Sequence, residues 1–139
     1  MKNESAEGLR VSVCCYEDVV IARQKVRKAM EEMKFSLIDQ TKIVTAVSEL
    51  ARNIIVHAGK GHMTIVLEQK NSVKGITCIF ADTGPGIADV NKAMQEGYST
   101  VKSLGLGLSG SKNLSDEFSI KTTLGKGTTV SITKWLRKI

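Results

Sequence analysis

Leu9, Val11, Val13 and Cys15 alternate with Arg10, Ser12, Cys14 and Tyr16, the two-residue period of a strand with one buried face. From about Asp18 to Met33 the period lengthens. Val19, Ala22, Val26, Met30 and Met33 recur three or four positions apart among charged neighbours, which predicts an amphipathic helix. A second helix is predicted from just after Ser36, whose hydroxyl with Asp39 three residues on forms a capping-box pattern, to about Ala58, where Gly59 and Gly61 supply stop signals. Its apolar stripe is Ile43, Val47, Leu50 and Ile54, flanked by Val44, Ala51 and Ile55.

Beyond Met63 the pattern returns to strands: "MTIVLEQK", a polar turn over Asn71 to Gly75, then "ITCIF" ending at Phe80. The stretch 82–110 holds half of the twelve glycines and the only proline, Pro85, and reads as a functional loop. A short helix is expected from near Leu106 to near Ser115. "EFSIKTTL", the turn "GKG" and "TTVSITKWL" then read as a closing antiparallel hairpin. Strands grouped by short turns, with helices grouped apart, predict an α+β two-layer sandwich carrying its helices on one face. The 139 residues suit one domain over 9–139, with residues 1–8 as a flexible N-terminus.

Composition narrows the function. No apolar run approaches the roughly 20 residues that span a bilayer, and the start lacks a leader-like apolar core, so a cytoplasmic protein without a membrane partner is expected. Three cysteines, two of them adjacent at Cys14 and Cys15, make no even disulfide framework and no zinc spacing; they are expected to be reduced and mostly structural. The net charge of +6 is dispersed from Lys2 to Lys138, and aromatics are only 4%. Scattered charge with few stacking platforms argues against a nucleic-acid partner.

"GLGLSG", residues 105–110, has the spacing of a dinucleotide fingerprint. No buried strand feeds into it, however, and no acid stands about 20 residues later. As a P-loop it fails because Ser111-Lys112 reverses the required order. Small residues ahead of a helix still present backbone N–H groups to an anion such as a polyphosphate, although a flexible loop with a glycine-rich hinge accounts for the same glycines. Asp82, in "DTGPG" just after the "ITCIF" strand, can accept a hydrogen bond from an exocyclic amine, although an Asx turn explains the same pentapeptide. Glu49 and Asn53, four residues apart, share a polar edge beside the second helix's core stripe. An Asn oxygen suits Mg²⁺, and a carboxylate one turn away suits a proton acceptor; a solvated helix face is the plainer account. His57 at the helix end reads as a dipole contact, and His62 has no ligand at metal spacing.

In order along the chain, "SELARNIIVHAG", "ADTGPGI", "GLGLSGSKNL" and "GKGTTV" resemble the four ATP-binding boxes of the GHKL, or Bergerat-fold, ATPase superfamily. The phrase "AVSELARNI" and the small size are similar to the anti-sigma-factor serine kinases, in particular their stressosome switch-kinase branch. The likeness runs from about Leu9 to Arg137. It implies a mixed, mostly antiparallel sheet covered by helices on one face, with ATP and Mg²⁺ bound between helix and lid. By matching positions it implies Glu49 as base or orienting carboxylate, Asn53 as Mg²⁺ ligand and Asp82 on the adenine amino group. Gly84, Gly86 and Ile87 would shape the adenine pocket; Gly105, Leu106, Gly107 and Leu108 would hold the phosphates; Thr128 would contact Asp82 or a water joining it to adenine.

The resemblance further implies transfer to a serine or threonine of STAS-domain antagonist and scaffold proteins, and partner switching on to a PPM-type phosphatase that ends in sigma-factor release. Two alternatives stay open: an anti-sigma factor that uses nucleotide only to set its shape, and a histidine-kinase catalytic domain. One departure is visible. Several members place an arginine just ahead of the first lid glycine, whereas this chain has Lys102, Ser103 and Leu104, leaving Lys102, Lys60 and Arg52 as candidates for the γ-phosphate.

Overall fold

The computed structural model describes residues 8–87 and 108–136. Of the N-terminal segment 1–8 only Gly8 is among them, and Gly105, Leu106, Gly107 and Lys102 to Leu104 lie outside. Strand β1 (Leu9–Val13) leads to helices α1 (Tyr16–Glu32) and α2 (Leu37–Ala58), strands β2 (Gly61–Lys70) and β3 (Val73–Asp82), helix α3 (Leu108–Leu114), and strands β4 (Glu117–Thr123) and β5 (Gly127–Trp135). The five strands form one sheet in the order β1-β2-β3-β5-β4, and every pairing among the described residues is antiparallel. The parallel component implied by a mixed sheet does not occur among these pairs: hairpins join β2 to β3 and β4 to β5, and both neighbours run against β3. The helices cover one face, as the α+β two-layer reading expects. Among the described residues no helix is long and apolar enough to cross a membrane.

The alternation of β3 sets the layers. Ile76, Cys78 and Phe80 point to the helices and are nearly inaccessible, as are Met63 on β2 and Ile132 on β5. Against them α2 lays the stripe read from its period, with Ile43, Val47, Leu50, Ala51 and Ile54 at 2% exposure or less. Burying one such Val, Leu or Ile side chain contributes about 1.5–3 kcal/mol, so this seam dominates the core. Ser36 caps α2 by accepting from the Asp39 N–H at 3.1 Å. The Asp39 carboxylate turns instead to Lys134 Nζ, 3.7 Å away, while Gly59 closes the helix at φ 84° with its N–H on the Ile54 carbonyl.

Lys134 is almost fully buried at 4% side-chain exposure, yet it is neutralised twice, by Asp39 and by Asp116 at 3.2 Å. Asp116 also accepts from the Trp135 N–H at 2.8 Å. The lysine thereby joins the start of α2 to the segment leaving α3.

Three local expectations are corrected. Strand β1 stops at Val13, because the Asp18 carboxylate accepts from the Cys14 N–H at 2.8 Å and turns the chain into α1 with Cys15 as its N-cap. The β2–β3 turn is two residues, not five: Asn71 and Ser72 both take positive φ, 53° and 68°, the tight hairpin geometry that matches strand twist. Gly75 is inside β3, where a side chain would strike the Trp135 ring at 2.5 Å. Finally, only Cys78 is a structural thiol, since Cys14 and Cys15 are exposed. Burial pushes the Cys78 thiol up to about 12, whereas Cys15 is raised chiefly by its hydrogen bond to Glu17. Iodoacetamide is therefore expected to add two labels to the native protein, more slowly at Cys15, and a third only after unfolding, counted by intact mass.

Candidate nucleotide site

The end of β3 and the residues after it form a short loop whose shape is set by close approaches. Asp82 Oδ1 accepts from the Gly84 N–H at 2.8 Å, the Asx turn that is one account of this pentapeptide. The second oxygen, Oδ2, makes no hydrogen bond among the described residues. Gly86 has φ 81°, and a Cβ there would stand 2.5 Å from the Thr123 carbonyl oxygen. Gly127, at φ 139°, packs against the Asp82 backbone, so that a Cβ would fall on the Asp82 carbonyl oxygen. Both positions need glycine for conformation and for space. The Ile87 N–H donates to Thr122 Oγ1 at 2.8 Å, and the Gly125 N–H donates to the Pro85 carbonyl at 2.8 Å. The loop is thus fastened to the β4–β5 hairpin along its length.

Between this loop and α2 lies a cavity of ≈ 130 Å³ with mostly apolar walls from Leu50, Ile54, Phe80, Ile87 and Val130. Its polar groups are few: Asn53 and His57 from α2, Asp82 from β3 and Thr128 from β5. Pockets that enclose drug-sized ligands are roughly 300–1,000 Å³. This one fits a single flat ring system, with a carboxylate at its edge to receive an amine. No group of three or more His, Cys, Asp or Glu side chains is placed to hold a metal among the described residues. A hard cation such as Mg²⁺, which takes much of its shell from phosphates and water, needs only an oxygen such as that of Asn53.

The structure brings Asn53, Asp82, Gly86, Ile87, Leu108 and Thr128 to this one cavity. Gly84 packs beside it on Ala58, at the end of α2. Glu49 is not in its wall. A four-residue step on a helix turns about 40° and rises about 6 Å, and here the cavity's edge falls within that step. Glu49 instead opens on a second cavity of ≈ 290 Å³ between α1 and α2, lined by Arg23, Arg27, Thr41, Ser48 and Arg52. Its Oε2 accepts from Arg52 Nη1 at 3.3 Å. Arg52 is thereby engaged beside Glu49, and Lys60 is exposed on the far side of Asp82, next to Cys14 and His62.

Thr128 stands opposite Asp82 in register, but its hydroxyl lies 2.9 Å from Thr122 Oγ1 and makes no hydrogen bond to Asp82. Thr122 is the residue that sequence reasoning missed. It belongs to none of the boxes and acts on Ile87 from 35 positions away; the one available signal was a second Thr-Thr pair facing "GKGTT" across the turn.

The pattern of the histidine kinase-, DNA gyrase B- and HSP90-like ATPases matches residues 38–138, which spans α2, both hairpins and the cavity. This chain belongs to that family. Among curated proteins it is 48% identical over 120 residues to the serine/threonine-protein kinase RsbT of Bacillus subtilis, covering 86% of this chain and 90% of the relative. It is 37% identical over 98 residues to the anti-sigma F factor of Caldanaerobacter subterraneus, covering 68% of each. The anti-sigma F factor of Bacillus subtilis is 30% identical over 126 residues, covering 84% of each. Within the GHKL superfamily the chain therefore sits in the anti-sigma-factor serine kinase family, and the ligand that this family implies for the cavity is ATP.

Proposed function

We propose that this chain is a switch kinase that moves the γ-phosphate of ATP to a serine or threonine of STAS-domain antagonist and scaffold proteins. The enzyme is a protein serine/threonine kinase; the identity of its partners is the part proposed. One observation carries the reading. Asn53 and Asp82 share the ring-sized cavity, while Glu49, one turn along α2, faces an arginine-lined groove on the other side. A base between a donor chamber and an acceptor surface suits direct transfer from nucleotide to a docked protein.

In this reading Asp82 accepts from the adenine amine, while Gly84, Gly86 and Ile87 shape the ring pocket. Asn53 supplies an amide oxygen to Mg²⁺, and the backbone at Gly105, Leu106, Gly107 and Leu108 receives the phosphates. Bound Mg²⁺ would supply charge neutralisation at the phosphates. Glu49 holds or takes the proton of the acceptor hydroxyl, and the groove's arginines attract an acidic protein surface. Partner switching to a PPM-type phosphatase, ending in sigma-factor release in the cytoplasm, completes the proposal; similarity to RsbT supports it.

Incubation with γ-labelled ATP and a purified STAS-domain protein is the test. Label is expected on a serine or threonine of that protein, located by mass spectrometry. The anti-sigma F relatives favour one other reading, a nucleotide-dependent sigma-factor clasp. That protein would bind ATP and a sigma factor and leave the STAS protein unlabelled.

A further inference from the structure

Thr122 Oγ1 meets three groups at once. The Ile87 N–H approaches at 2.8 Å, the Gly127 carbonyl at 3.2 Å and Thr128 Oγ1 at 2.9 Å. A hydroxyl has one proton and two acceptor sites. The Ile87 N–H can only donate, which uses one acceptor site, and the Gly127 carbonyl can only accept, which uses the proton. All three contacts are satisfied in a single arrangement, with the Thr128 hydroxyl donating to Thr122. Thr122 is Thr128's side-chain hydrogen-bond partner among the described residues, so nothing else there competes for that proton.

From this we infer that Thr122, outside the cavity, sets the cavity's base preference by drawing the Thr128 proton away from it. Thr128 then shows the cavity only lone pairs, beside the acceptor-only Asp82 carboxylate. The edge formed by Asp82 and Thr128 then offers only acceptors, and it receives a purine whose 6-position bears an amine. It rejects one bearing a 6-oxo group, whose oxygen would face two acceptors with no proton between them. Thr122 is thus a positioning residue for base selection. The inference rests on the reading of this cavity as an adenine site.

Its test is a ratio. ATP and ITP, both with Mg²⁺, are titrated calorimetrically into the full chain and into Thr122→Val and Thr122→Ser. The unmodified protein is expected to prefer ATP. Thr122→Val frees the Thr128 proton to turn towards a 6-oxo group and should cut the preference by about tenfold. Thr122→Ser keeps the hydroxyl and should retain the preference within about threefold. A Thr122→Val protein that weakens both nucleotides equally would show that the residue merely braces the Ile87 loop, and would overturn the inference. So would loss of the preference in Thr122→Ser.

Should Thr122→Val fail to fold by circular dichroism, the unmodified protein decides with a third ligand, purine riboside triphosphate, which has neither amine nor oxygen at the 6-position. The expected order of affinity is ATP, purine riboside triphosphate, ITP. ITP binding as well as or better than the unsubstituted purine would refute an acceptor-only edge at Asp82 and Thr128. Absence of any ATP binding by the unmodified protein is a different result, because it removes the nucleotide reading itself.

Discussion

Glu49→Gln is expected to slow phosphate transfer to the protein substrate by about 10²–10⁴-fold, the usual contribution of a positioned acid or base, and to leave the Kd for Mg-ATP unchanged. The separation follows from the geometry. Glu49 does not line the ring-sized cavity, so removing its charge takes nothing from nucleotide binding. Glutamine has the same shape and keeps an oxygen that can accept from Arg52. The pair it replaces is partly solvated, with side chains 43% and 32% exposed, and such pairs contribute roughly 0–1 kcal/mol. The variant should therefore fold normally. Initial rates with labelled ATP, beside a nucleotide titration, make the measurement. Equal losses of rate and affinity would show that Glu49 holds nucleotide after all.

Asp82→Asn should do the reverse. Asparagine can still accept from the Gly84 N–H through Oδ1 and so preserve the Asx turn. Its second group, however, becomes an NH₂ that opposes the amine of adenine. A hydrogen bond to a charged group contributes about 1.5–3 kcal/mol, so the Kd for ATP should rise roughly 10- to 150-fold. With the turn retained, the melting temperature should stay close to that of the unmodified protein. An unchanged Kd would take Asp82 out of base recognition and leave it as a turn residue.

How much of this was legible in the sequence depends on the range of the interaction. The seam of α2 was, because Ile43, Val47, Leu50 and Ile54 repeat at a period that admits one helix face. The cap at Ser36 was, because it is a contact between neighbours. Gly75 misled, since a glycine inside a strand looks like a turn until Trp135, 60 positions later, is seen lying over it. Cys15 misled because strand alternation continues past the point where Asp18 bends the chain. In the site, Asn53, Asp82 and Thr128 could be named from their motifs. That Glu49 would face a different cavity from Asn53 could not, because the division depends on where α1 lies against α2. Thr122 was missed because it belongs to none of the motifs and its contact with Ile87 is made across 35 positions.

Lys134 grips α2 near its first turn and α3 just past its last, through Asp39 and Asp116. The cavity-facing ends, at Asn53 and Leu108, are the opposite ends of both helices. The two rods therefore resemble tongs riveted at the handle. A small tilt about the ammonium group would become a larger spread at the jaws, about 21 Å along α2 from Asp39 to Asn53 at 1.5 Å per residue.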